Sequence, residues 1–398
     1  MIKRLPPYVL ISTLTLSVSI ALSGCSGQTF PGSQLLGGQQ HASVAPKLKP
    51  LKKITANQNA ALLWQIDTGT ADPLIKIHPY ISDTAIYTAA GQTVSAWNKK
   101  TGQALWSKSI AEPITGGVNG DNQTIFVGTR SGKTLSLNAS NGKTRWISDL
   151  ETEVLAVSES QQGMVVLRTI DGKLHGLNSQ TGEVKWQRQQ RTPSLSMYGA
   201  SVPIIVDRGV VAGFDNGKVA AYDLSQGKPL WEITLSVPKG NSELERIVDV
   251  DGRLKALGSA LFTSNINGRV IGANMNDGQI GWSKVLSSSA GADAHLKGVY
   301  STDQKGHIWK LAPRNGSPIW RQDDLENRHP TTPTLTHSGS HLIVGDRQGN
   351  LHWLETTSGK IVSRIKGDSA GYQVPVISDG DIVYAFGQGG VLSAIRSH

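Results

Sequence analysis

The sequence predicts an all-β chain folded as an eight-bladed β-propeller, with four antiparallel strands per blade and an N-terminal strand closing the last blade. Three observations carry this reading. A segment running from Gly to Trp recurs with constant length. The Trp residues that end it recur about every 40 residues. The last unit lacks its fourth strand, while a spare strand of the same kind precedes the first.

The segment is clearest in GKLHGLNSQTGEVKW, Gly172 to Trp186. It returns as Gly132–Trp146, Gly217–Trp231, Gly268–Trp282 and Gly306–Trp320, always with the two ends 14 residues apart. Gln92–Trp106 keeps the spacing without the first Gly, and Gly349–Ser363 replaces Trp with Ser. Each copy has an inner turn: Thr101-Gly102, Asn141-Gly142, Thr181-Gly182, Gln226-Gly227, Asp277-Gly278, Asn315-Gly316 and Ser358-Gly359.

A repeat of this period means stacked supersecondary units. The Trp residues fall at 64, 106, 146, 186, 231, 282 and 320. Within a period, four apolar runs are divided by turn signals, as in Val202–Val206, Val210–Phe214, Val219–Tyr222 and Leu230–Leu235. The runs are too short for helices and rich in β-branched residues. Gly and Asn in the turns supply the positive φ of tight hairpins. Four antiparallel strands make one propeller blade. Near the C-terminus, Val374–Ile377, Ile382–Phe386 and Val391–Ile395 stop where a fourth strand should begin. The unmatched strand Leu62–Asp67 fills that place and closes the ring. The Trp rings then fill the wedge between neighbouring blades.

Ahead of the propeller, residues 60–398, the chain changes character. Lys3 and Arg4 precede an apolar stretch from Val9 to Ala21, too short to span a bilayer and suited to a signal peptide, residues 1–24. Leu22-Ser23-Gly24-Cys25 follows, and Cys25 is the sole cysteine in the chain. It resembles a bacterial lipobox, whose Cys is acylated and becomes the mature N-terminus. By the same resemblance, Ser26, rather than Asp, after the Cys points to the outer membrane. Acyl chains at ~0.8 kcal/mol per buried CH₂ hold such a protein on a bilayer. Residues 25–59 lack periodicity, carry Pro31, Pro46, Pro50 and a cluster of Lys47, Lys49, Lys52 and Lys53, and read as a flexible tether.

Formal charge is +9 over 398 residues. The basic residues are scattered without runs or aromatic platforms, which argues against nucleic acid. A His-Glu-x-x-His motif and a cysteine cluster are both missing, and no nucleophile stands with a base. The stretch from Gly128 to Thr134 is one residue short of a phosphate-binding loop and sits in a hairpin. His337 and His341 flank Gly339 in another hairpin and share no helix face. No catalytic, metal or cofactor residue is assigned.

Function is sought instead in the two longest insertions, Gln189–Ala200 and Val237–Asp251. Both follow a Trp strand and precede the next blade's innermost strand, so both emerge on one propeller face, side by side. Loops of this kind carry function on a fixed scaffold. The first offers Leu195, Met197 and Tyr198. The second offers Glu243, Glu245, Asp249 and Asp251 around Arg246. Apolar anchors beside charges resemble the core and rim of a protein interface. The competing reading tucks Leu195 and Met197 under their own loop. Asp249-Val250-Asp251 alone falls short of the six or more oxygens of a calcium site.

The repeat resembles the pyrroloquinoline-quinone-type propeller repeat, with its Gly…Ala/Leu-Asp/Asn-x-x-Thr-Gly-x-x-x-Trp core. With the lipobox, the eight blades and the two insertions, it resembles the BamB family of outer-membrane assembly factors from about Ala60 onward. The most specific stretches are Pro193 to Met197 and Ser242 to Asp251. The resemblance implies a non-enzymatic lipoprotein scaffold of the β-barrel assembly machinery. It implies further that these loops face a periplasmic domain of BamA, the barrel protein that receives unfolded outer-membrane proteins. Leu195, Met197, Asp249 and Asp251 fall on the family's interface positions, while Tyr198 stands where the family commonly has Arg. Unfolded outer-membrane proteins are a second possible partner. The alternative is a periplasmic quinone-dependent dehydrogenase sharing the repeat. Such enzymes resemble one another in a calcium-binding carboxylate set and, often, adjacent cysteines, and this chain has Cys25 alone.

Overall fold

The computed structural model describes residues 48–54, 60–70 and 72–397. The signal peptide, Cys25 and most of the expected tether lie outside the described residues. Among the described residues, 32 strands form eight four-stranded antiparallel sheets arranged as a propeller. Blade one is Tyr80–Ile81, Ala85–Ala90, Thr93–Asn98 and Ala104–Ser109, in that order from inside to outside. Blades two to seven follow at residues 114–149, 154–189, 204–234, 255–285, 292–322 and 334–366. Blade eight is Ile377–Asp379, Ile382–Phe386 and Val391–Ser397, completed on its outer edge by Ala60–Asp67. The predicted closure is present: Leu62 lies opposite Ile395, Trp64 opposite Ala394 and Asp67 opposite Val391.

Strand chemistry follows radial position. Second strands such as Thr124–Thr129 and Met164–Thr169 are buried at every residue, because neighbouring blades cover both faces. They are correspondingly apolar along most of their length. Outer strands such as Thr144–Asp149 alternate exposed and half-buried residues, since only one face meets a neighbour. The turn between third and fourth strands is set by a side chain at its start. Asn138 Oδ1 accepts from Ser140 N–H at 2.9 Å, and Asn178 Oδ1 from Gln180 N–H at 2.9 Å.

Each outer-strand Trp then reaches across to the next blade. The indole N–H of Trp146 donates to Ser179 O at 3.0 Å, that of Trp186 to Leu224 O at 2.7 Å, and that of Trp231 to Met275 O at 2.7 Å. The ring lies flat on the next blade's turn glycine. A Cβ on Gly182, whose φ is +76°, would come within 2.5 Å of Trp146 Cε3. The repeat thus combines apolar burial with a hydrogen bond between blades.

The two connections after blades three and four, residues 190–203 and 235–254, are the longest among the described residues. The connections at 68–79, 323–333 and 367–376 are also extended. Sequence spacing hid these: the first falls within the ordinary interval from Trp64 to Trp106, and the other two follow Trp320, the last Trp of the series.

Candidate protein-binding face

In an antiparallel four-stranded blade, the link between second and third strands lies at the same end as the link to the next blade. Both insertions therefore rise from one face. The first presents Leu195 and Met197, each 41 % exposed, so neither is tucked beneath its loop. Tyr198 is half-buried and ties this loop to blades two and three: its hydroxyl donates to Glu153 Oε1 at 2.6 Å. Glu153 also meets Arg130 Nε at 3.4 Å. Burial and the neighbouring Glu153 carboxylate push the Tyr198 phenol up to about 12, so it stays a neutral donor.

The second loop is built on a reciprocal cap. Glu245 Oε2 accepts from the Asn241 and Ser242 amides at 2.8 and 3.2 Å, while Ser242 Oγ accepts from Glu245 N–H at 3.3 Å. Asn267, in a tight turn of blade five, donates to Leu244 O at 2.9 Å and to Ile247 O at 3.2 Å. Ile247, Val248 and Val250 are buried and pin the loop's return. Leu244 is 71 % exposed, Val237 is exposed at the start of the loop, and Arg246 is exposed two residues after Leu244. The sequence reading left Leu244 and Val237 out of the candidate set, although apolar residues in a polar loop were the signal that selected Leu195 and Met197.

Asp249 and Asp251 occupy a different kind of place. Asp249 is buried, and its Oδ2 accepts the backbone N–H of Met197, joining the two loops. Its Oδ1 and both oxygens of Asp251 are enclosed by the protein without a hydrogen-bonding partner. Asp215 lies with them, one oxygen from each within 4.8 Å of the others, and forms a buried ion pair with Arg168. Arg168 also donates to Gly213 O at 2.7 Å. Burial, then the charge of Asp251, pushes the Asp249 carboxyl up to about 7. Burial likewise pushes Asp251 up to about 6, opposed by Arg168. The six predicted residues thus separate. Leu195, Met197 and Arg246 are surface groups, Tyr198 and Asp249 lock the loops in place, and Asp251 sits beneath them facing the axial funnel. That funnel has a volume of about 1240 Å³.

A family model described as "Outer membrane protein assembly factor BamB" matches residues 90–322 and 304–397. The chain belongs to the BamB family of outer membrane protein assembly factors. The BamB of Escherichia coli K12 is 34 % identical over 396 residues, covering 96 % of this chain and 97 % of that one. The BamB of Pseudomonas aeruginosa PAO1 is 34 % identical over 330 residues, covering 83 % and 86 %. The crystal structure of Moraxella catarrhalis BamB superposes with a TM-score of 0.77 at 25 % identity, covering 85 % of this chain and 99 % of that one. The quinohemoprotein alcohol dehydrogenase of Comamonas testosteroni reaches 0.67 at 12 % identity over 86 % of this chain, a likeness of fold alone. Membership in the BamB family places the chain among non-enzymatic assembly factors of the outer membrane, and the dehydrogenase alternative is not favoured.

Proposed function

We propose that the protein is a lipid-anchored scaffold at the periplasmic face of the outer membrane, acylated at Cys25, whose loops 190–203 and 235–254 bind a periplasmic domain of BamA. The observation carrying this reading is the pairing of exposed apolar groups with rigid supports. Leu195, Met197 and Leu244 project from loops held by Asp249, Tyr198, Asn267 and the Ser242–Glu245 cap. Loops already ordered lose little conformational freedom on binding, so more of the contact energy appears as affinity. Exposed aliphatic anchors bury against the partner, and Arg246 and Glu243 supply a charged rim. The scaffold brings the BamA domain and an unfolded barrel protein close together without chemistry of its own.

The test is recovery of BamA with the full-length protein and its variants Leu195→Asp, Met197→Asp and Leu244→Asp. Each is expected to lose tenfold or more in BamA recovery while melting as the parent does. Lys143→Ala, in a turn on the opposite face, is the control. Undiminished recovery by all three folded variants would refute the reading. Mass spectrometry of the mature N-terminus tests the acylation of Cys25, and an unmodified or uncleaved protein would overturn it.

A further inference from the structure

Residues 48–54 do not stand clear of the propeller. They lie against blades six and seven on the face that carries the two insertions. Lys49 Nζ donates to Asp323 O at 3.1 Å, and Lys52 Nζ meets Asp324 Oδ1 at 2.9 Å. The carbonyl of Lys49 accepts from Arg328 Nη2 at 3.2 Å, and that of Lys52 from Arg364 Nη1 at 3.1 Å. Leu51 packs on the cluster of Tyr300, Leu325, Leu342 and Val344.

The receiving side is built from buried groups. Asp346, fully enclosed, accepts from Arg328 Nη1 at 3.3 Å and from His352 Nε2 at 3.0 Å. Arg364 Nε donates to His352 Nδ1 at 3.2 Å. Burial lowers the pKa of His352, so the ring stays neutral, donating at Nε2 and accepting at Nδ1. Both guanidiniums that grip the segment are thus aimed by one buried Asp–His pair. Arg328 lies in the connection from blade six to seven, and Asp346 opens the turn between second and third strands of blade seven. Both belong to the same end of the propeller as the insertions.

We propose that this seat fixes where the membrane-linked chain leaves the propeller, so that the face bearing loops 190–203 and 235–254 is held toward the membrane. The proposal rests on the lipid-anchor reading of Cys25. Seating residues 48–54 leaves 22 residues between the seat and Cys25, and a coil of that length has a mean end-to-end distance of roughly 25 Å. Turning the propeller over would route that chain around blades whose strands alone are about 20 Å tall. That stretch lowers the share of the inverted pose by about two- to threefold for a coil of this length.

The experiment places the full-length lipidated protein on phosphatidylethanolamine–phosphatidylglycerol vesicles containing an acceptor dye. A donor dye is attached through Lys239→Cys on the insertion face or Lys143→Cys on the opposite face. Energy transfer is expected to be at least twofold greater from position 239. The double variant Leu51→Asp, Arg364→Ala is expected to erase that difference and to speed trypsin cleavage after Lys49, Lys52 and Lys53 about tenfold. Equal transfer from both positions in the parent, or a difference that survives the double variant, overturns the proposal. If the protein fails to float with the vesicles, the anchor reading has failed and the orientation falls with it. Unchanged trypsin cleavage in the double variant refutes the seat independently of lipid.

Discussion

Trp353 lies directly across from Ser363, and the pair exchanges the sizes found in the neighbouring blades. In blades one to five and in blade eight, the outer-strand Trp faces a small residue: Ala96, Ser136, Gly176, Ala221, Gly272 or Ala394. Blade seven keeps the ring and moves it inward by one strand. Trp353 is fully buried, and its indole N–H donates to Ser397 Oγ in blade eight at 3.0 Å. Trp353→Ala should cost about 3–5 kcal/mol, as removal of a buried aromatic does. The exchange Trp353→Ser with Ser363→Trp should recover part of that loss, and urea unfolding of the two variants decides it.

Two glycines with the same φ separate strain from crowding. Gly163 and Gly182 both lie at +76°, but a Cβ on Gly163 meets nothing within 4 Å, whereas one on Gly182 enters the ring of Trp146. Gly163→Ala is expected to cost about 1 kcal/mol, from backbone conformation alone. Gly182→Ala is expected to cost about 1–3 kcal/mol more, because the indole must give way. Equal midpoints in urea would show that the ring moves freely.

The pairing of Ala60–Asp67 with Val391–Ser397 makes the ring depend on a strand remote in sequence. Deleting residues 60–67 exposes the apolar edge of blade eight and should abolish a single cooperative thermal transition. Deleting residues 26–47 should leave the transition unchanged. Calorimetry of both truncations distinguishes the two outcomes.

The buried acids beneath the insertions give a definite pH dependence. Asp249 and Asp251 hold their protons more tightly in the folded chain than in the unfolded one. Stability from this source is complete below the ordinary carboxylate range, near pH 4. It is lost as pH rises through 6 to 7. Asp251→Asn should therefore stabilise the protein by about 1–2 kcal/mol at pH 8 and leave it nearly unchanged at pH 4.5. The opposite ranking, in urea titrations at the two pH values, would mean that these acids are ionised and satisfied.

The blade count, the closure and the insertion face were legible because each is written in spacing. Gly-x-x-x-Trp recurs at fixed length, and a missing strand at one end matches a spare one at the other. The roles of individual site residues were less legible. Asp249 and Leu244 are both loop residues, yet one is enclosed between Val248 and Val250 and the other stands in solvent. What separates them is the path of the returning chain against Phe214 and Asn265, which are distant in sequence. The docking of residues 48–54 was hidden for the same reason. Its partners, Arg328 and Arg364, lie some 280 to 310 positions along the chain, and its Pro- and Lys-rich composition signals only a lack of internal structure.

The Trp–Gly contacts gather at the end of blades one to seven where the third and fourth strands turn. The long connections leave from the other end. The propeller is hooped at one rim and open at the other, like a cask bound only at its base. Length added at the open rim crosses none of the hoop's joints. A partner can therefore be accommodated by reshaping connections there, while the girth of the ring stays fixed.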